Sequence, residues 1–294
     1  MLQLLLGGSG SGKTTLLYQR IRARAEKGEK SILLVPEQFT SSTEGRIYRE
    51  LGDALSGMVE SFSFTSLAEK ILSTEGGAAV QTLSDAGRAV LVRRALEELQ
   101  DNVHYYHRHR RSAAFCQMAA QTIDELKSAG LSGRQLAQLA GACGAESGKL
   151  SELALIFQGY ETLLARSGMD PSDRLELAGA RLEEALARHS LPEFLRDRAV
   201  FIDEFDTFNA PKKRLLGAML AALPSVTVAL CDDGAPLLPG DLSLFSGAKQ
   251  VAAQLRQLAR KNGAEVAVPQ LLRKDLRHRN APGLAAVAEL LETG

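Results

Sequence analysis

Gly7-Gly8-Ser9-Gly10-Ser11-Gly12-Lys13-Thr14-Thr15 carries almost no side chain until a lysine and two hydroxyls arrive. That composition suits one chemistry. Glycine permits backbone conformations that a Cβ forbids, and it lets N–H groups come close to a ligand. Successive N–H groups at the start of a helix form an anion-sized hollow at its positive end. The spacing Gly7-x-x-x-x-Gly12-Lys13-Thr14 is the phosphate-binding loop pattern. In that pattern Lys13 reaches the β- and γ-phosphates, and the Thr14 hydroxyl binds Mg²⁺. The competing reading is a flexible glycine loop with an exposed lysine. The flanks weigh against it, because Leu2–Leu6 reads as a strand buried on both faces and Thr14–Arg24 as a helix.

A triphosphate site also needs an acid for Mg²⁺ at the end of a neighbouring buried strand. Asp203 follows Val200, Phe201 and Ile202, and Glu204 comes next. Asp203 is the candidate metal ligand. Glu204 is the candidate catalytic carboxylate that orients or deprotonates an attacking water. The alternative is that both acids merely solvate a strand end. Asp206 adds charge with no assigned task. His104–Arg111 (HYYHRHRR) gathers three of the five histidines with two tyrosines. A metal site there would need a nearby acid or cysteine to complete it, and none follows. A basic aromatic patch on a DNA backbone and a solvated helix end or loop are the other two readings. Arg273–Arg279 (RKDLRHR) is a second basic run with the same ambiguity.

The elements that must position these residues come in three pieces. Residues 1–82 alternate strand and helix: Ser31–Val35 and Val59–Phe64 follow the first strand, and Thr65–Leu72 reads as a helix. Residues 83–192 change to helical spacing. Ser84 caps one helix, Gly130 ends another, and Ser132 with Gln135 makes a capping box for the next. About five amphipathic helices follow one another there, and Met118 and the aromatics on their faces are assigned to the core. Residues 193–294 return to strands at Ala199–Ile202 and Val226–Leu230, helices at Ala210–Leu223 and Lys249–Gly263, and a short strand at the end of Gly263–Pro269. The expected fold is α/β: a parallel sheet of P-loop type, interrupted by an all-helical insertion.

Bulk composition narrows the function classes. Lysine and arginine total 35 and so do the acids, so no global charge attracts nucleic acid and any such binding rests on local patches. No apolar run approaches the roughly 18 residues of a membrane helix. The N-terminus lacks a basic segment before its apolar run, so it is not read as a signal peptide. Cys116, Cys143 and Cys231 are scattered, which argues against a disulfide scaffold or a cysteine metal site and fits a cytoplasmic protein.

Several segments resemble one family. GGSGSGKT, LLVPEQFTSSTE (Leu33–Glu44), SFSFTSLAEKIL (Ser61–Leu72), LSDAGRAVLVRR (Leu83–Arg94), TIDELKSAGLS (Thr122–Ser132) and FIDEFDTFNAPKKRLL (Phe201–Leu216) are similar, in this order, to the N-terminal region of the AddB family. These are the B subunits of bacterial AddAB (RexAB-type) ATP-dependent helicase–nucleases. The similarity runs along nearly the whole chain. It implies a RecA-like, superfamily 1 helicase-type core, ATP and Mg²⁺ as ligands, an AddA-type partner subunit, and DNA ends as the substrate for recombinational repair. It implies that Gly7–Thr15 are the helicase phosphate loop, with Asp203 the Mg²⁺ aspartate and Glu204 the catalytic glutamate. Phe39–Glu44 and Ser63–Ser66 fall where single-strand DNA contacts lie. The nuclease domain and iron–sulphur cluster of such subunits are expected beyond residue 294, as are the arginines that complete the site. No glutamine precedes Gly7 at the distance of the usual adenine-reading residue, and none follows in Cys231-Asp232-Asp233-Gly234-Ala235-Pro236. The expectation is therefore a nucleotide-binding module with little turnover of its own. Two other classes stay open: a structural or DNA-scanning module with a vestigial phosphate loop, and a small-molecule phosphotransferase. The latter is disfavoured by the long insertion and the lack of an arginine-rich lid.

Overall fold

The computed structural model describes residues 1–144 and 147–293. It begins with β1 (Leu2–Gly7), whose leucines are all buried, and α1 (Lys13–Ala25). Next come β2 (Ser31–Leu34), α2 (Thr40–Leu51), the single turn α3 (Asp53–Ser56), β3 (Val59–Phe62) and α4 (Phe64–Glu75). The third strand therefore stops before Phe64. Ser63 and Ser66 cap the new helix reciprocally, Ser66 N donating to Ser63 Oγ at 3.1 Å and Ser63 N to Ser66 Oγ at 2.8 Å. Such local bonds turn the chain out of the strand and start α4, where Phe64 packs edge-on to Phe205, with ring centroids 5.2 Å apart.

The helical run comprises α5 (Asp85–Glu98), α6 (Ala113–Ser128), α7 (Gly133–Ala140), α8 (Ser147–Ser167) and α9 (Pro171–Ala187). Ser84 accepts from Gly87 N at 3.2 Å, and the capping box of Ser132 with Gln135 is formed. Gly130, with φ of 84°, ends α6, and Leu131 N reaches back to Leu126 O. Leu96, Ile123, Phe157 and Tyr160 meet in one apolar cluster. Met118 does not join it and is 56% exposed. The buried stripe of α6 runs through Cys116, Ala119, Ala120 and Ile123, and Met118 lies two residues, about 200°, away from Cys116 around the helix. Glu152 is buried and accepts the amides of His104, Tyr105 and Tyr106 at 2.7–3.2 Å. This fixes the backbone of the HYYHRHRR segment. Among the described residues no group of three or more His, Cys, Asp or Glu side chains is arranged to hold a metal.

The chain returns with β4 (Ala199–Ile202), α10 (Ala210–Ala222), β5 (Ser225–Cys231), α11 (Ser246–Lys261), β6 (Gln270–Leu272) and α12 (Pro282–Thr293). The last strand differs from the expectation at Gly263–Pro269. Only Val266 there makes a bridge, to Leu2, and the ladder proper is Gln270–Leu272 against Leu5–Gly7. Six strands make one sheet in the order β3-β2-β4-β5-β1-β6, every pair parallel. Leu5, Leu17, Tyr18, Leu33, Phe201 and Ala229 share a core on one face of it.

Two compact units result: Met1–Glu75 with Ala180–Phe208 and Lys213–Gly294, and Gly76–Gly179 with Asn209–Lys212. The sheet lies wholly in the first, and Leu96, Ile123, Phe157 and Tyr160 lie in the second. No helix among the described residues is long and apolar enough to cross a membrane.

Candidate nucleotide site

All strands of a parallel sheet end at one edge, and α/β ligands gather beyond their carboxyl ends. Gly7 is in register with Cys231, and Leu34 with Ile202. The loop after β1 and the acids after β4 therefore leave the sheet on the same side. A cleft of about 540 Å³ lies there. Its walls include Ser9, Gly10, Gly12, Lys13, Thr14 and Thr15 from the loop and α1, and Asp203, Glu204 and Asp206 from the other side.

The glycines divide the work. Gly10 and Gly12 adopt φ of 79° and 89°, which side chains rarely take. Gly12 is the N-cap of α1 and brings no side-chain cap, so the first amides of the helix remain available to an anion. Gly7 has a different task and does not line the cleft. A Cβ there would stand 2.4 Å from Ser11 Oγ and 2.6 Å from Leu272 O. Gly7 thus lets the loop close over β6. Gly8 and Ser11 also stay off the cleft wall; Ser11 is buried, and its Oγ has no hydrogen-bond partner. Lys13 Nζ donates to the Gly7 and Gly8 carbonyls, both at 2.8 Å.

Asp203 is 6% exposed, and its amide donates to Leu34 O at 3.1 Å. Burial pushes its pKa up, while the hydrogen bond with Thr14 pulls the other way. Its Oδ1 accepts the Glu204 amide at 3.0 Å. Glu204 has φ of 66°, a left-handed conformation for a residue with a side chain. That turn brings Glu204 to the cleft wall, which Thr14 also lines. One expectation is corrected. Asp203 does not end a strand neighbouring β1, because β5 lies between β1 and β4. Thr14 reaches it because the loop and the first turn of α1 lean over the end of β5, whose Ala229 and Cys231 also line the cleft.

Three further residues reach this cleft that the spacing of motifs did not reveal. Arg46, from α2, lines it. Leu276 and Arg277 come from the RKDLRHR run after β6. Leu276 N donates to Gly10 O at 3.0 Å, and Arg277 Nη1 to Ser9 Oγ at 3.1 Å. Asp275 braces the turn, accepting from Arg277 N and His278 N at 3.0 Å and lying 2.8 Å from His278 Nδ1. These contacts, the His278 amide foremost, hold the Asp275 carboxyl below the usual carboxylate range. The basic run was visible in the sequence, but its seat on the glycine loop was not. Nothing local marked Arg46.

Thr14 and Asp203 offer hard oxygen ligands, which suit Mg²⁺. Two protein ligands are few for a metal cage, yet Mg²⁺ keeps several waters and is commonly completed by substrate phosphates. The glycine loop and Lys13 carry N–H donors of the kind that phosphate oxygens accept.

The family model described as "ADDB, N-terminal" matches residues 4–288. The B subunit of the ATP-dependent helicase/deoxyribonuclease of Desulforudis audaxviator (strain MP104C) is 34% identical over 296 residues, covering 97% of this chain and 25% of that protein. Its namesake from Moorella thermoacetica (strain ATCC 39073 / JCM 9320) is 33% identical over 299 residues, with 97% and 25% covered. That from Clostridium perfringens (strain 13 / Type A) is 29% identical over 283 residues, with 95% and 24% covered. The chain spans about a quarter of the length of these curated relatives.

Proposed function

We propose a function from one premise: the chain belongs to the ADDB, N-terminal family. The cleft is a P-loop site for Mg²⁺-ATP in a RecA-like, helicase-type core. The chain serves as the N-terminal region of the B subunit of an ATP-dependent helicase/deoxyribonuclease that processes double-strand DNA ends for recombinational repair. Its partners are an AddA-type subunit and DNA. Nuclease chemistry and any iron–sulphur cluster belong to other parts of such a subunit. Three free cysteines, two of them exposed, suit the reducing cytoplasm.

The observation that carries the reading is the convergence of Thr14 and buried Asp203 on the one cleft that the glycine loop and Lys13 also line. Thr14 and Asp203 would hold Mg²⁺. The ion would supply positive charge that neutralises the phosphate oxygens. Lys13 gives up its two loop carbonyls and donates to the β- and γ-phosphates. The amides of the loop and the first turn of α1 hold the remaining oxygens. Glu204, exposed at the end of its strained turn, accepts a proton from water at the γ-phosphate side.

One observation favours a second reading, a loop kept for structure alone: Lys13 Nζ is already satisfied by Gly7 and Gly8. Calorimetry with Mg²⁺-ATP separates the two. Lys13→Ala should weaken binding by about 1.5–3 kcal/mol, the range for a charge-assisted hydrogen bond, which is roughly ten- to hundredfold. Glu204→Gln should bind as the wild type does and lose any hydrolysis. Equal affinity in wild type and Lys13→Ala would leave the structural reading standing.

A further inference from the structure

Arg46 stands apart from every residue assigned above. It sits in the second turn of α2, half-buried, with its guanidinium carbon 4.9 Å from the centroid of the Tyr18 ring. No carboxylate of the described residues lies within ion-pair distance of it. A cation held on an aromatic face and lacking an anionic partner is a ready donor for an incoming anion.

Its position along the cleft is set by a second cavity of about 200 Å³. The two cavities share four wall residues: Thr14, Arg46, Asp203 and Glu204. The second touches none of the loop residues from Ser9 to Lys13, nor Leu276 and Arg277. Arg46 therefore stands at the end of the cleft where Thr14, Asp203 and Glu204 converge. Arg277 stands at the other end, on Ser9. In the nucleotide reading the Thr14–Asp203–Glu204 end takes the terminal phosphate, and the loop end takes the inner ones.

We propose that Arg46 is a second γ-phosphate contact of this chain beside Lys13, a residue supplied in cis that makes the site prefer a nucleoside triphosphate to a diphosphate. The inference rests on the P-loop reading above and adds specificity to it. Arg46 offers a planar fork of donors that matches two oxygens of a terminal phosphate. Tyr18 keeps the fork oriented by its ring face, so Tyr18→Phe preserves the brace. A diphosphate ends short of Arg46 and leaves it on the ring.

The test is calorimetry on the 294-residue chain with two probes, Mg²⁺-ADP and the Mg²⁺ complex of a non-hydrolysable ATP analogue. Arg46→Ala should lose roughly ten- to hundredfold in affinity for the analogue and change by less than about twofold for ADP. Tyr18→Phe should bind both as the wild type does. Arg49→Ala is the control for a nearby charge, since Arg49 lines only the second cavity; it should leave both affinities unchanged. Melting curves of each variant establish that it is folded. Equal losses for the two nucleotides, or no loss for either in a wild type that binds both, overturn the role of Arg46 and spare the site. A wild type that binds neither nucleotide overturns the site and this inference together.

Discussion

Asp203 is a carboxylate held out of water, its Oδ1 accepting the Glu204 amide. Its pKa stands above the ordinary 3.8, chiefly from burial. The folded chain therefore binds a proton here more readily than the unfolded chain. Stability falls as pH rises from about 3.8 through the raised value, and the deficit persists to neutral pH. Asp203→Asn keeps the shape and the acceptor for the Glu204 amide while removing the buried charge. Without divalent cation and nucleotide, it should melt at a higher temperature than wild type near pH 7, and the gap should narrow as the pH approaches about 4. A melting series against pH checks this; identical curves would mean that the charge is not costly. Glu204 stores cost in its backbone instead. At φ of 66° a side chain is strained, and Glu204→Gly should stabilise the fold by about 1 kcal/mol, whereas Glu204→Gln should leave stability as it is. Urea titration of the three proteins decides it.

Helix α1 shows how an element can start without a side-chain cap. It begins at a left-handed glycine without a side-chain cap, directly after a loop that offers mainly backbone. Gly12→Ala would force a Cβ into that conformation, 2.9 Å from Leu276 Cδ1. It should cost about 1–2 kcal/mol, measured by denaturant unfolding, with Thr15→Ala on the exposed side of the same turn as the near-neutral comparison. The helical unit shows the opposite economy, with its polar groups spent on each other. Asp170, 1% exposed, receives Lys127 Nζ at 2.7 Å and the Tyr160 hydroxyl at 2.5 Å. Lys127 also meets Asp173 at 2.8 Å. Burial and the Asp170 contact push the Tyr160 hydroxyl well above its ordinary pKa. Lys127→Met leaves a buried charge without its cation and should cost about 3–5 kcal/mol. Adding Asp170→Asn should return part of that loss, since the uncompensated charge is then gone. A double variant no more stable than Lys127→Met would show that the lysine stem, and not its charge, is what the unit needs.

At the scale of the whole chain, 35 cations balance 35 acids. Any DNA affinity must then come from local patches, be weak, and fall by about 0.7 logarithmic units per tenfold rise in salt for each phosphate neutralised on a single strand. The two segments that the family resemblance marks for DNA are formed differently. Phe39 and Ser41–Ser42 are exposed at the start of α2, while Ser63 is 4% exposed and engaged in capping α4. Crosslinking to a single-stranded oligonucleotide should accordingly fall on Phe39–Ser42 and on Thr65–Ser66, not on Ser63. Tight binding that ignores salt, or crosslinks confined to the helical unit, would exclude this surface.

The glycine spacing, read alone, determined that a strand runs into a side-chain-poor turn and then a helix, because those constraints act over a few residues. Apolar runs buried on both faces likewise marked β1, β2, β4 and β5, and hydroxyl caps marked the starts of α5 and α7. Other features had no local signature. TSSTEGRIYREL is largely polar and contains a glycine, and α2 forms there with Ile47 and Leu51 packed into the core under the sheet. β6 is a half-buried edge strand, fixed by its ladder with Leu5–Gly7 and by Arg20 donating to Gln270. Arg277 meets Ser9 across 268 residues, and Arg46 reaches the cleft from another helix. Local propensity and apolar period can specify a loop, a cap or a buried strand. Which side chains converge on that loop depends on the order of strands in the sheet, and that order is decided by packing among segments far apart in the chain.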